Sequence, residues 1–268
     1  MTHAPVGADD VLDPVTGCEA AVRYVGVKKA FGDHQVLRGL DLIVPRGRTT
    51  VIIGRSGTGK SVTLKHIMGL LRPDAGQIFV SGQELTNLSD RALRKVRLRF
   101  GVVFQNAALF DSMSVFENVA FPMREHDRFP EATVRARVRA LLEQVGLRGV
   151  DNSLPSELSG GMRKRVGLAR ALVRDPEFIL YDEPTTGLDP ILAAAMDQLI
   201  AETQVRRPDI TSIVISHDMR AVLDIAHKVA MLVDGSLYAE GPPEFFRDSK
   251  DPLIRQFLEG SLDGPMKV

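Results

Sequence analysis

Gly54-Arg55-Ser56-Gly57-Thr58-Gly59-Lys60-Ser61 fits the spacing G-x-x-x-x-G-K-[ST], a loop whose backbone N–H groups turn inward around phosphate. Glycine permits that wrapping because it accepts backbone angles that other residues resist. In such a loop Lys60 reaches the β- and γ-phosphates of a nucleotide and the Ser61 hydroxyl ligates Mg²⁺. Gly54 through Val62 are therefore expected to line a nucleotide. A second group of residues supplies what hydrolysis needs. Phe178-Ile179-Leu180-Tyr181 is an apolar run that ends in Asp182-Glu183. Asp182 is expected to hold Mg²⁺, and Glu183 to take a proton from the attacking water as general base. A strand that ends in carboxylates is common, and it acquires meaning here from its company. Leu158-Ser159-Gly160-Gly161-Met162 then opens a run that reads as a helix. A serine and two glycines at a helix start form another anion-binding nest. An N-cap with a flexible loop is the simpler reading of that nest, and one chain with two phosphate nests needs a reason for the second.

The elements that must carry these residues follow from periodicity. Val51-Ile52-Ile53 is a short apolar strand leading into the glycine loop, and Ser61 to Leu71 reads as a helix stopped by Pro73. Ala20–Val27, the alternating Leu40, Leu42 and Val44, and Gly76–Val80 favour β structure near the N-terminus. Strands are again expected at Phe178–Asp182, Ser212–Ser216 and Lys228–Val233, the last turning at Asp234-Gly235 into Leu237–Ala239. Between about residues 106 and 175 helix dominates. Glu131 to Leu147 places Val134, Val138, Leu141, Leu142 and Val145 on one face, with Gly146 to end it. Strand–loop–helix units around a helical insertion imply an α/β fold. Its core is a mostly parallel sheet, with an antiparallel N-terminal β subdomain and a helical subdomain.

Composition bounds the possibilities. The 268 residues are 44% hydrophobic and 25% charged, values of an ordinary globular protein rather than a disordered or fibrous one. The 34 Lys and Arg cancel the 34 Asp and Glu, which counts against a protein built to coat nucleic acid. The single cysteine, Cys18, makes neither an internal disulfide nor a zinc cage. The longest apolar runs fall far short of the roughly 20 residues a membrane span needs. The polar start of the chain, with Asp9, Asp10 and Asp13, does not read as a secretory signal. Residues 1–18 are expected as a loose tail, 19–249 as the folded domain with the helical subdomain at about 106–175, and 250–268 as a C-terminal tail. The basic run Arg91, Arg94, Lys95, Arg97 and Arg99 reads as a solvated helix face.

Lys60, Gln105, Leu158–Gly161, Asp182-Glu183, Asp189 and His217, in that order, resemble the motifs of the ATP-binding-cassette (ABC) ATPases, whose fold is of P-loop NTPase type. The resemblance spans about residues 20–245. It implies that two subunits pair head to tail, the Ser159-Gly160-Gly161 nest of one closing on the ATP held by the Lys60 loop of the other, so that two ATP molecules sit at the dimer interface. This gives the second nest its reason. The resemblance further implies that Phe31 stacks on adenine and that Gln105 touches Mg²⁺ or the lytic water and senses a membrane partner. Asp189 would couple the two sites, and His217 would hydrogen-bond the γ-phosphate. Met162 stands where the family usually has glutamine, a departure the backbone nest tolerates.

Finer features narrow the resemblance. The Leu-Ser-Gly-Gly-Met variant, Ser114-Val115-Phe116-Glu117-Asn118-Val119-Ala120-Phe121-Pro122-Met123-Arg124-Glu125-His126, and Gln256-Phe257-Leu258-Glu259-Gly260 look like the maintenance-of-lipid-asymmetry ATPases. Those energise phospholipid traffic between the two membranes of Gram-negative bacteria. That likeness implies a peripheral subunit on the cytoplasmic face of the inner membrane, working with an integral permease, an MCE-domain lipid-binding subunit and a small STAS-domain partner. The alternative is the ATPase of a small-solute importer, such as one for amino acids, with the same motor residues. A cassette acting on DNA or the ribosome fits least, because there is no room for a long coiled coil and no second cassette.

Overall fold

The computed structural model describes residues 11–127, 129–217 and 219–266. The chain divides into two compact units, Met1–Leu93 with Ile215–Val268, and Arg94–Val214.

The first unit begins with a long hairpin, β1 (Ala20–Phe31) and β2 (His34–Pro45), paired antiparallel. Leu37, Leu40, Leu42 and Val44 turn inward along β2, the alternation expected of a half-buried strand. After β3 (Thr49–Ile53) and α1 (Lys60–Ile67), β4 (Ala75–Val80) pairs antiparallel with β1 and with the two-residue β5 (Gln83–Glu84). The antiparallel sheet is thus ordered β2-β1-β4-β5. Every residue of β3 is buried, as in a strand covered on both faces. The helix expected over Ser61–Leu71 stops earlier, at Ile67, because Gly69 takes the left-handed φ of +61° that ends a helix. A side chain there would also collide with Leu93, whose Cδ2 lies 2.6 Å from the Cβ position.

Chain continues through α2 (Asp90–Arg97), whose Leu93 and Val96 are buried while Arg91, Arg94 and Lys95 are exposed. The second unit holds β6 (Phe100–Val103), α3 (Val115–His126), α4 (Glu131–Gln144), α5 (Gly160–Leu172), β7 (Phe178–Asp182), α6 (Pro190–Arg206) and β8 (Thr211–Ile215). Its strands run β8-β7-β6, with β6 and β7 parallel and Val103 opposite Tyr181. The start of α3 is fixed by a reciprocal cap: Ser114 accepts from the Glu117 amide, and Glu117 accepts from the Ser114 amide. Asn118, fully buried on α3, bonds back to Phe110, Met113 and Ser114 and so holds the loop before the helix.

The chain then returns to the first unit through α7 (Met219–Ile225), β9 (Lys228–Val233), β10 (Ser236–Gly241), α8 (Pro243–Arg247) and α9 (Pro252–Glu259). Strand β9 is parallel to β3 and antiparallel to β10 across the expected Asp234-Gly235 turn.

Residues 11–19 and 251–266 are held by specific contacts. Residues 1–10 lie outside the described residues, but in the segment that follows Leu12 bridges to Glu19 and Asp13 is 1% exposed. Asp13 pairs with Lys228, itself fully buried on β9, which also lies 2.8 Å from Glu240 and donates to the Ile43 carbonyl at 3.0 Å. A buried ammonium needs an opposite charge, and the N-terminal segment delivers it. At the other end, Asp251 caps α9 by accepting from the Leu253 and Ile254 amides. The chain then bends back so that Gln256 exchanges hydrogen bonds with the Met266 backbone.

Candidate functional site

In the first unit the loop between β3 and α1 has positive φ at Gly54, Gly57 and Gly59. Two of these glycines are also required by packing. A Cβ on Gly54 would stand 2.4 Å from the Leu232 carbonyl oxygen, and one on Gly59 2.7 Å from Leu37 Cδ2. The loop is therefore seated tightly against β9 and β2. Lys60 is only 7% exposed, and its ammonium curls back to donate to the carbonyls of Gly54 at 2.7 Å and Arg55 at 2.8 Å. The Thr58 hydroxyl donates to the Arg55 carbonyl at 2.9 Å. Arg55, Ser56 and Gly57 are exposed, Thr58 and Val62 half-buried, and Ser61 stands exposed on the first turn of α1. The result is an open rim of backbone and a cation held beneath it.

Phe31 closes β1 with its ring 49% exposed, and the Lys29 ammonium lies 5.6 Å from the ring centroid. Lys29 is in turn paired with Asp74 at 2.7 Å, which holds the Asp74 carboxyl below the usual carboxylate range. A half-exposed phenyl ring at a strand end is free to stack on a planar ligand. His217, just past the end of β8, is exposed.

In the second unit the pairing of Val103 with Tyr181 brings the carboxyl ends of β6 and β7 to one edge. Gln105, in the turn after β6, and Asp182-Glu183, at the end of β7, thus emerge side by side, where open α/β sheets bind ligands. Gln105 is exposed and both carboxylates are half-buried. Glu183 has φ +50°, an uncommon backbone state for a residue with a side chain. Its Oε2 accepts from the Thr186 hydroxyl at 3.0 Å.

Ser159 is the N-cap of α5, its hydroxyl accepting from the Met162 amide at 3.2 Å. Ser159 is exposed, Gly160 half-buried and Gly161 buried. Asp189 has a local role that the motif did not disclose. It caps α6, accepting from the Ile191 and Leu192 amides at 3.0 Å each.

Ser61 in the first unit and Asp182 in the second each offer an oxygen of the kind that Mg²⁺ carried by a nucleotide takes. A serine hydroxyl and a carboxylate are hard oxygen ligands, and Mg²⁺ usually takes one or two carboxylates plus substrate phosphates. Among the described residues, no group of three or more His, Cys, Asp or Glu could hold a metal by itself.

Two features of the second unit were not visible in the motifs. One is an apolar groove of about 330 Å³ lined by Leu98, Phe104, Phe110, Phe121, Pro122 and Arg170, among others. Leu98, Phe104 and Phe110 are each more than 40% exposed, and the rings of Phe110 and Phe121 are 4.8 Å apart. The other is Lys164, 5% exposed on α5. Its position on the same helical face as Gly161, Leu168 and Ala171 was the available signal. Among the described residues, no helix is long and apolar enough to cross a membrane.

Comparison with known proteins agrees with this geometry. The sequence profile of the ABC transporter family matches residues 37–186, more than half of the chain. The intermembrane phospholipid transport system ATP-binding protein MlaF of Haemophilus influenzae is 46% identical over 236 residues, covering 88% of this chain and 89% of that protein. The probable ribonucleotide transport ATP-binding protein mkl of Mycobacterium leprae is 42% identical over 246 residues, 92% of this chain and 71% of that one. Among solved structures, the dimeric post-hydrolysis state of the ATP-binding cassette MJ0796, bound to ADP and Pi, superposes with a TM-score of 0.75. It is 29% identical and covers 83% of this chain and 98% of that one. The chain belongs to the ABC transporter family, as one of its ATP-binding, ATP-hydrolysing subunits.

Proposed function

We propose that the chain is the motor of a transporter that moves phospholipid between the inner and outer membranes of a bacterium, docked peripherally on the cytoplasmic face of the inner membrane. The observation that carries the substrate class is the 46% identity to the phospholipid-transport ATPase, which extends over nearly the full length of both proteins. The mycobacterial relative is named for ribonucleotide transport, which supports the second reading, a small-solute importer driven by the same motor.

The residues act in two stages. On binding, adenine stacks on Phe31 while the amides of residues 54–62 receive the phosphates. The Lys60 ammonium exchanges the Gly54 and Arg55 carbonyls for the β- and γ-phosphate oxygens. Ser61, Asp182 and Gln105 would hold Mg²⁺, which would supply neutralisation of phosphate charge. The Ser159-Gly160-Gly161 nest then engages the γ-phosphate held by a second copy, and Asp189 links the two sites across that dimer. During hydrolysis Glu183 accepts a proton from the attacking water, whose oxygen forms the new bond to the γ-phosphorus as the bond to ADP breaks. His217 donates to the γ-phosphate oxygens as charge builds there.

The apolar groove supports a membrane partner. A cluster of exposed Leu and Phe side chains beside Gln105 is the kind of patch that marks a protein interface, and the integral permease is its occupant in this reading. An MCE-domain subunit and a small STAS-domain protein complete the assembly. Nucleic acid has no part in it.

The test is purification of a tagged Glu183→Gln variant from native membranes with ATP, followed by mass spectrometry of proteins and lipids. A permease with an MCE-domain subunit and phospholipid is expected. A solute-importer permease without lipid would move the second reading to the front.

A further inference from the structure

A lysine on a helix ordinarily keeps its ammonium in water and buries at most its stem. Lys164 instead lies on the buried face of α5, and the ammonium donates to the Thr186 carbonyl at 2.6 Å, 22 residues along the chain. Burial lowers its affinity for a proton, and the charge of Glu183 works in the opposite sense. The acceptor belongs to a closed turn. The Thr186 amide donates to the Glu183 carbonyl at 3.3 Å, and its hydroxyl to Glu183 Oε2 at 3.0 Å. Leu188 continues the turn by donating to the Thr185 carbonyl at 3.1 Å. Within this turn Glu183 holds its φ of +50°. Such a backbone is strained and persists only where its surroundings fix it.

We propose that Lys164 is a positioning residue for ATP hydrolysis: by gripping the Thr186 carbonyl it holds the 183–186 turn in the shape that lets the Thr186 hydroxyl aim the Glu183 carboxylate. The inference rests on the reading of Glu183 as the general base. It also gives α5 two duties in one chain. Its first turn carries the Ser159 nest, and Lys164 follows one turn later. A shift of α5 when the nest engages a nucleotide alters the grip on Thr186, and with it the aim of this chain's own base.

The test uses the full chain in its transporter complex, with the variants Lys164→Met, Lys164→Arg, Thr186→Val and Thr186→Ser. Lys164→Met and Thr186→Val should lower kcat roughly tenfold while KM for ATP stays within about twofold, the pattern of a misaimed group rather than lost binding. Lys164→Arg and Thr186→Ser, which keep the donors, should recover most of kcat. Amide hydrogen exchange at residues 183–188, measured without nucleotide, should rise in Lys164→Met and stay near wild type in Lys164→Arg. Added to Glu183→Gln, Lys164→Met should cause no further loss.

A higher KM with unchanged kcat would overturn the inference, as would unchanged exchange in Lys164→Met or equal rates for Thr186→Val and Thr186→Ser. The threonine pair decides the matter if the lysine variants do not fold. Near-normal turnover in Glu183→Gln would remove the base reading itself. A stalled Glu183→Gln beside a normal Lys164→Met would remove the positioning role alone.

Discussion

The two nests, residues 54–61 and residues 158–161, are both glycine-rich starts of helices, yet they are built differently. The first has three glycines at positive φ, and two of them are pressed so closely against Leu232 and Leu37 that no side chain fits. It also has its own cation beneath the rim, with Lys60 hydrogen-bonded into the loop. Gly160 and Gly161 have no positive φ, and a Cβ on either would make only ordinary contacts, at 3.6 Å to Leu188 and 3.5 Å to Leu192. The loop at 54–61 thus has inward-wrapped backbone and a cation of its own, all that the proposed phosphate cradle needs. The one at 158–161 is an exposed helix end with a serine cap, which offers dipole and amides but too little to hold a nucleotide alone. In the reading proposed above, its contribution becomes useful only when another copy brings a nucleotide to it.

The largest effect expected from breaking this contrast is on binding. Lys60→Ala should weaken ATP affinity about 100-fold, since charge-assisted contacts to phosphate contribute roughly 3 kcal/mol. Equilibrium titration with a fluorescent nucleotide reads it. Ser159→Arg, by contrast, should leave that affinity unchanged while steady-state ATPase activity falls to background, because bulk and charge at the exposed nest block closure.

Next in size are two glycine substitutions that separate the loops by fold stability. Gly59→Ala should cost about 2–3 kcal/mol, from backbone strain at φ +97° and overlap with Leu37. Gly161→Ala, inside a helix and with room for a methyl group, should be neutral or stabilising by up to about 1 kcal/mol. Denaturant unfolding of both variants makes the comparison.

The smallest effect concerns pH. His66 on α1, the helix that follows the cradle, is 1% exposed, and burial lowers its pKa from 6.5. The unfolded chain takes up this proton near pH 6.5 and the folded chain only at lower pH. Stability from this group is complete above about 6.5 and declines as pH falls below it, by at most about 1.4 kcal/mol per pH unit. Melting temperatures between pH 5 and 7.5 should show the decline in the wild type and a flatter profile in His66→Gln. Helix α5, which follows the other nest, has no histidine.

Much of this was legible because the chemistry is contiguous in sequence. The Gly54–Ser61 spacing, the apolar run ending in Asp182-Glu183, and the alternation along β2 each carry their signal within a dozen residues. Contacts between distant segments carried none. Nothing near Asp13 announces that it answers a lysine 215 residues away, so the segment read as loose. Lys164 and Thr186 look like surface residues until α5 and the 183–188 turn are packed together. The apolar groove is likewise a product of packing, because Leu98, Phe104, Phe110 and Phe121 come from three different stretches of chain. The early end of α1 depended on Gly69 meeting Leu93, where the helical pattern alone pointed onward to Pro73.

The most direct measurement of the central claim is the mass and nucleotide content of Glu183→Gln in the presence of ATP and Mg²⁺, by light scattering with quantitation of bound nucleotide. Two chains holding two ATP are predicted, and the same particle should be lost on adding Ser159→Arg. A single chain that holds one ATP, unchanged by Ser159→Arg, would contradict the shared site.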